Sequence, residues 1–139
     1  MKILLIDPCD LWMATLRRRL AAIPGARVIA QVAREADAVM VATLCRPDVI
    51  LCDIALEKGS GLSVVKHLRR NGFRGAAYVV SNADECLVAH RCAEAGVNGF
   101  FDREQEIDGL IQTLRTLGAT PLTFGQPKMR LAMRLAEAA

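Results

Sequence analysis

Apolar runs and helical patterns alternate along this chain from end to end. Residues 2–6 form a nearly continuous apolar run, bounded by Asp7, and predict a first strand. A helix is expected over 10–22, with Asp10 as its N-cap and Leu11, Ala14, Leu16 and Leu20 facing a core. Pro24-Gly25 breaks it, and 26–31 predicts the second strand. The second helix is expected over 35–44, ended by Arg46-Pro47, with the third strand over 48–52. A polar loop, 57–60, leads to a third helix over 61–70, and Asn71-Gly72 marks a turn. The fourth strand is expected over 76–81 and the fourth helix over 84–95, closed by Gly96. A short strand over 98–101 and a helix over 104–117, closed by Gly118, complete the pattern.

Five strand–helix units in series imply an α/β fold, a mostly parallel doubly wound sheet with helices on both faces. The near-continuous apolar strands agree with burial on both faces. One domain is expected over 1–118. Residues 119–139 read as a tail interrupted by Thr120-Pro121 and Gly125-Gln126-Pro127, then a short amphipathic helix over 128–137 with Leu131 and Leu135 on one face. A helix that short is marginal alone in water. It needs a surface, either this domain or a second copy, so a homodimer is one expectation.

Composition narrows the class. At 139 residues with 53% apolar and 24% charged residues, the chain suits one globular domain and not a disordered one. No apolar run approaches a bilayer span, and the N-terminus does not read as a signal peptide, so a cytoplasmic protein without membrane contact is expected. Five cysteines, an odd number without metal-ligand spacing, read mostly as small hydrophobes in apolar surroundings. A formal charge of +3 is not the footprint of a nucleic-acid-binding domain. Arg17-Arg18-Arg19 reads as a solvated helix face.

Polar residues gather where such a sheet binds ligands, at the carboxyl ends of its strands. Asp7 ends the first strand, Asp53 the third and Ser81 the fourth, and Arg103 lies just past the fifth. In the order 2-1-3-4-5, carried over from known folds of this architecture, the first and third strands are neighbours and bring Asp7 beside Asp53. Two adjacent carboxylates repel and call for a cation or a shared proton. Mg²⁺ suits carboxylates, a carbonyl and a phosphate oxygen. A hydroxyl and a guanidinium opposite would hold further phosphate oxygens. Such a site permits attack of a carboxylate on a phosphoryl group, giving an aspartyl phosphate.

Over about residues 1–118 the chain resembles the receiver domains of response regulators, a flavodoxin-like fold. The resemblance rests on Pro47-Asp48-Val49-Ile50-Leu51-Cys52-Asp53-Ile54-Ala55-Leu56 followed by Gly59-Ser60-Gly61-Leu62. It extends to Ile3-Leu4-Leu5-Ile6-Asp7, Val79-Val80-Ser81 and Gly96-Val97-Asn98-Gly99-Phe100-Phe101. The resemblance implies that Asp53 is the phosphoacceptor and a metal ligand, Asp7 a metal ligand and the Ala55 carbonyl a third. It further implies that Ser81 is the responding hydroxyl and Phe100 the aromatic switch. Three positions depart from the family. Pro8 stands where a second acid is usual, leaving Asp10 as a stand-in ligand through the bent loop, although it is better placed as a helix cap. Arg103 replaces the usual lysine and Glu104 the proline after it. Arginine keeps the charge but is a planar fork. Mg²⁺ binding is therefore expected to be weak.

The leading expectation is a stand-alone receiver of a two-component or phosphorelay pathway. A histidine kinase or phosphotransfer protein would phosphorylate it, and its output would be protein binding to an unidentified partner, with no dedicated enzyme activity. A pseudo-receiver, binding partners without phosphorylation, is the alternative raised by Pro8 and Arg103. A flavodoxin-like cofactor binder is permitted by the fold alone. Against it, the loop Asp7-Pro8-Cys9-Asp10 is acidic and would repel a cofactor phosphate.

Overall fold

The structure is a computed structural model, and residues 1–119 are described. Five strands, β1 (Lys2–Ile6), β2 (Arg27–Val32), β3 (Val49–Cys52), β4 (Ala76–Ser81) and β5 (Gly99–Asp102), alternate with five helices. These are α1 (Asp10–Ala21), α2 (Glu35–Cys45), α3 (Gly61–Arg70), α4 (Glu85–Ala95) and α5 (Ile107–Ala119). The strands are parallel neighbours in the order β2-β1-β3-β4-β5, the doubly wound arrangement expected from the pattern.

Side chains alternate across each strand and divide the core into two layers. Leu4, Ile6, Ile50, Cys52, Ala77, Val79 and Phe100 pack against α2, α3 and α4. Ile3, Leu5, Val49, Leu51, Tyr78, Val80 and Phe101 pack against α1 and α5. Tyr78 and Phe101 meet edge to face at 5.7 Å, and burial pushes the Tyr78 phenol up to about 12.

Several local expectations need correction. Asp10 does not cap α1: the N-cap is Cys9, and Asp10 is the first helical residue. The loop's turn is made instead by Asp7, whose Oδ1 accepts the Cys9 amide at 2.8 Å, the local bond that Asp favours in turns. The core face of α1 is Met13, Leu16 and Leu20, while Leu11 is 85% exposed and Ala14 is also exposed. At 100° per residue, Leu11 falls almost opposite the 13–16–20 stripe. The fifth helix begins at Ile107, not Glu104, because Asp102 Oδ1 accepts the amides of Glu104 and Gln105 and forms a separate turn first. It runs through Gly118 to Ala119, so Gly118 does not close it. Only Cys52 and Cys92 are buried, and Cys9, Cys45 and Cys86 are exposed. Burial raises both buried thiols, Cys92 to about 11. The helix expected over 128–137 lies outside the described residues.

Two features fix the sheet's geometry. Arg69, at the end of α3, donates to the carbonyls of Gly96, Phe73 and Gly75 and to Asn98 Oδ1, with its guanidinium over the Phe73 ring. Asn98 Oδ1 also accepts the Ala77 amide at 2.8 Å, so one guanidinium ties α3 to the starts of β4 and β5. At the other end of α3, Gly61 sits so close to the main chain that a Cβ would overlap the carbonyl oxygen of Asp53. Only glycine lets α3 start there.

Arg69→Met keeps the apolar stem but deprives three carbonyls and Asn98 Oδ1 of a charged donor. We expect a stability loss of about 2–4 kcal/mol, seen as a lower urea midpoint at unchanged slope. Arg69→Lys should recover only part of it, since an ammonium lacks the fork. Gly61→Ala should cost at least about 2 kcal/mol by the same assay. Gly72→Ala, with φ at +93° but open space around it, should cost only about 1 kcal/mol.

Candidate functional site

Strand register assembles the site. Ile6 of β1 is level with Cys52 of β3, so the residues that follow, Asp7 and Asp53, leave the sheet side by side. The ladder continues past the strands: Asp53 donates its amide to the Ile6 carbonyl and Asp7 donates to the Val32 carbonyl, both at 2.9 Å. Further along the sheet, Ser81 is level with Asp102, and the Arg103 amide donates to the Ser81 carbonyl at 3.1 Å. All four residues therefore stand at the carboxyl edge of the sheet.

Arg103 closes the site. Its Nη2 donates to Asp7 Oδ2 at 2.5 Å and to Asp53 Oδ2 at 3.0 Å, one nitrogen bridging both carboxylates. The three side chains are 14%, 2% and 17% exposed, so these contacts are little screened by water. The remaining oxygens are also engaged: Asp7 Oδ1 by the Cys9 amide and Asp53 Oδ1 by the Ile54 amide at 2.7 Å. Burial pushes the Asp7 carboxyl above the usual carboxylate range and Asp53 adds to the rise, while the Cys9 amide and Arg103 oppose it.

Trp12 of α1 covers Arg103, with the guanidinium carbon 5.2 Å from the ring centroid. No motif or periodicity in the sequence singles out this residue. Its only signal is that the sole tryptophan of the chain falls just after the acidic loop.

Other expected site residues are placed differently. Ser81 is buried at the strand end, and its Oγ accepts the Ala83 amide at 3.1 Å. Ala55 lies two residues past Asp53 in a loop held on both sides. The Gly61 amide donates to the Ile54 carbonyl, and Arg34 pairs with Glu57 at 3.0 Å. Glu35 Oε1 accepts the Ser60 amide at 3.0 Å. Phe100 is buried in the layer beneath α3 and α4. Asp10 does not join the acids. Its Oδ1 accepts a bond from Gln31 Nε2 at 3.3 Å on β2, because it sits inside the first turn of α1 and not in the loop. Arg17 donates to Gln31 and Arg19 pairs with Asp108, both at the exposed surface. Among the described residues, no helix is long and apolar enough to cross a membrane.

Known proteins share this fold. Residues 3–115 match the family model of the response regulator receiver domain. The chain is 25% identical over 114 residues to the DNA-binding transcriptional activator EvgA of Escherichia coli, covering 82% of this chain and 55% of that protein. It is 28% identical over 118 residues to the response regulator GacA of Pseudomonas aeruginosa, covering 85% and 55%. The chain thus spans about half the length of these curated relatives. Among solved structures, a two-component response regulator of the LuxR family from Aurantimonas superposes with a TM-score of 0.79 at 20% identity, covering 97% of each chain. The response regulator domain of CheB from Thermotoga maritima superposes at 0.76 and 17% identity, covering 87% of this chain and 98% of that one. With a sheet of this order and a family match over most of its length, the chain belongs to the response regulator receiver domain family of two-component signalling.

Proposed function

We propose that Asp53 accepts a phosphoryl group from a histidine kinase or phosphotransfer protein in the cytoplasm, and that output follows through protein contacts. The register of β1 and β3 carries this reading, because it sets Asp53 beside Asp7 at the edge where folds of this architecture bind ligands. A carboxylate oxygen of Asp53 attacks phosphorus, the bond from phosphorus to the donor breaks, and the leaving group keeps the electron pair. Arg103, 3.0 Å from Asp53, is positioned to hold the transferred oxygens, and Ser81 supplies a hydroxyl one strand along. Phe100 is the proposed switch, coupling the site to the surface of β4, β5, α4 and α5, where Leu87 is 80% exposed. Receiver domains are signalling modules, not dedicated enzymes, and the chemistry proposed here is confined to Asp53 itself.

Receiver domains generally bind Mg²⁺. The residues present here do not fit it. A magnesium ion demands near-octahedral oxygen coordination, yet the point between Asp7 and Asp53 is taken by a guanidinium nitrogen. Pro8 supplies no acid and Asp10 faces β2. Among the described residues, no group of three or more Asp, Glu, His or Cys could hold a metal.

The same bridge favours a second reading, the pseudo-receiver. One guanidinium already touches both acids and offsets one of their two charges, so the pair is held together without a metal or a modification. Intact-mass analysis after incubation with acetyl phosphate, in buffers with and without Mg²⁺, separates the two. We expect a single phosphate adduct that is absent from Asp53→Ala. No adduct under any condition supports the pseudo-receiver.

A further inference from the structure

The cation that two neighbouring carboxylates require is supplied here by the chain itself. Arg103 Nη2 touches both Asp7 Oδ2 and Asp53 Oδ2, and a guanidinium does not lose its charge in a protein. Three further contacts keep it there. Its backbone amide is bound to the Ser81 carbonyl. Trp12 stacks over its guanidinium at 5.2 Å, the geometry of a cation–π contact. The Cys9 amide holds Asp7 Oδ1, fixing the carboxylate that Arg103 grips.

We propose that the Trp12-clamped Arg103 guanidinium is a built-in cation that takes the place of a divalent metal between Asp7 and Asp53. Trp12 is then a positioning residue, acting on the site only through Arg103. A divalent ion entering between the acids would meet the guanidinium at contact distance, so it could bind only after Arg103 had withdrawn from beneath the Trp12 ring. Where Asp53 is phosphorylated, which rests on the function proposed above, the reaction proceeds without added metal.

Calorimetric titration of Mg²⁺ and Mn²⁺ into the folded protein tests this directly, with circular dichroism to confirm the fold of each variant. The sole tryptophan gives a parallel fluorescence readout of Arg103 displacement in wild type. Wild type should show no saturable binding up to about 10 mM, since the two acids are already occupied. Arg103→Ala should gain binding by at least about tenfold, because it frees both carboxylates. Adding Asp7→Asn to that variant should abolish the gain. Trp12→Ala should gain part of the affinity with Arg103 intact, and Trp12→Phe, which restores an aromatic face, should return to wild type; a merely structural role for Trp12 would not move metal affinity. Saturable wild-type binding that Asp7→Asn removes would overturn the proposal, and needs no Arg103 variant to fold. So would a phosphate adduct that forms only with Mg²⁺. Absence of any adduct would count against phosphorylation of Asp53, while the cation titrations would still decide this inference.

Discussion

Two carboxylates leave the sheet at the same level on adjacent strands, and that repulsion is the constraint around which the site is arranged. Near a protein surface, like charges about 4 Å apart repel by roughly 4 kcal/mol. That is a large share of the 5–15 kcal/mol by which a domain of this kind is stable. Burial sharpens the problem for Asp7, which is 2% exposed. The fold answers with one guanidinium nitrogen shared by both acids and a backbone amide on each outer oxygen. Removing the arginine would leave two charges uncompensated at once, which is why its position is held from the ring side by Trp12 and from the main chain by Ser81.

The scaffold holds this arrangement because its ends are fixed separately. Gly61 lets α3 close onto the main chain of Asp53, and its amide donates to the Ile54 carbonyl, so the helix start is tied directly to the strand end bearing the acid. Glu35 and the Arg34–Glu57 pair join the loop after β3 to the loop after β2. At the opposite edge, Arg69 gathers α3, β4 and the approach to β5. The main-chain groups of these loops named above are thereby hydrogen-bonded, as burial of polar groups demands, whereas the buried Trp12 Nε1, Tyr78 hydroxyl and Arg103 Nε have no hydrogen-bond partner among the described residues.

Relation to the receiver family does not by itself fix the chemistry of this member, because function resides in the site and not the fold. Lysine at position 103 would present a compact point charge, whereas arginine presents a plane that can bridge two acids and stack on a ring. Pro8 removes an acid from the loop, and the backbone then turns through the Asp7–Cys9 bond instead. These departures act together: with fewer carboxylates, one broad resident cation reaches both acids and offsets part of their charge from within.

The amino-acid sequence determined the order of elements, the two-sided burial of β1, β3, β4 and β5 and the residues at the strand ends, whereas β2, at the edge of the sheet, is only half-buried. Each follows from local periodicity or from punctuation such as Arg46-Pro47, where the residue before proline adopts a left-handed φ of 47° and ends α2, and Gly96, which closes α4. Local rules failed where two local choices competed. Asp10 was a reasonable cap until Asp7 made the turn, and Glu104 a reasonable helix start until Asp102 captured the following amides. The contacts of Arg103 were decided only by tertiary structure. Its partners lie 96 and 50 residues away in the chain, and it reaches them because β1 and β3 are level, β5 ends two strands from β3, and its guanidinium is covered by a ring from α1. No periodicity encodes that meeting, since it depends on register between strands and on the reach of one side chain across the sheet edge.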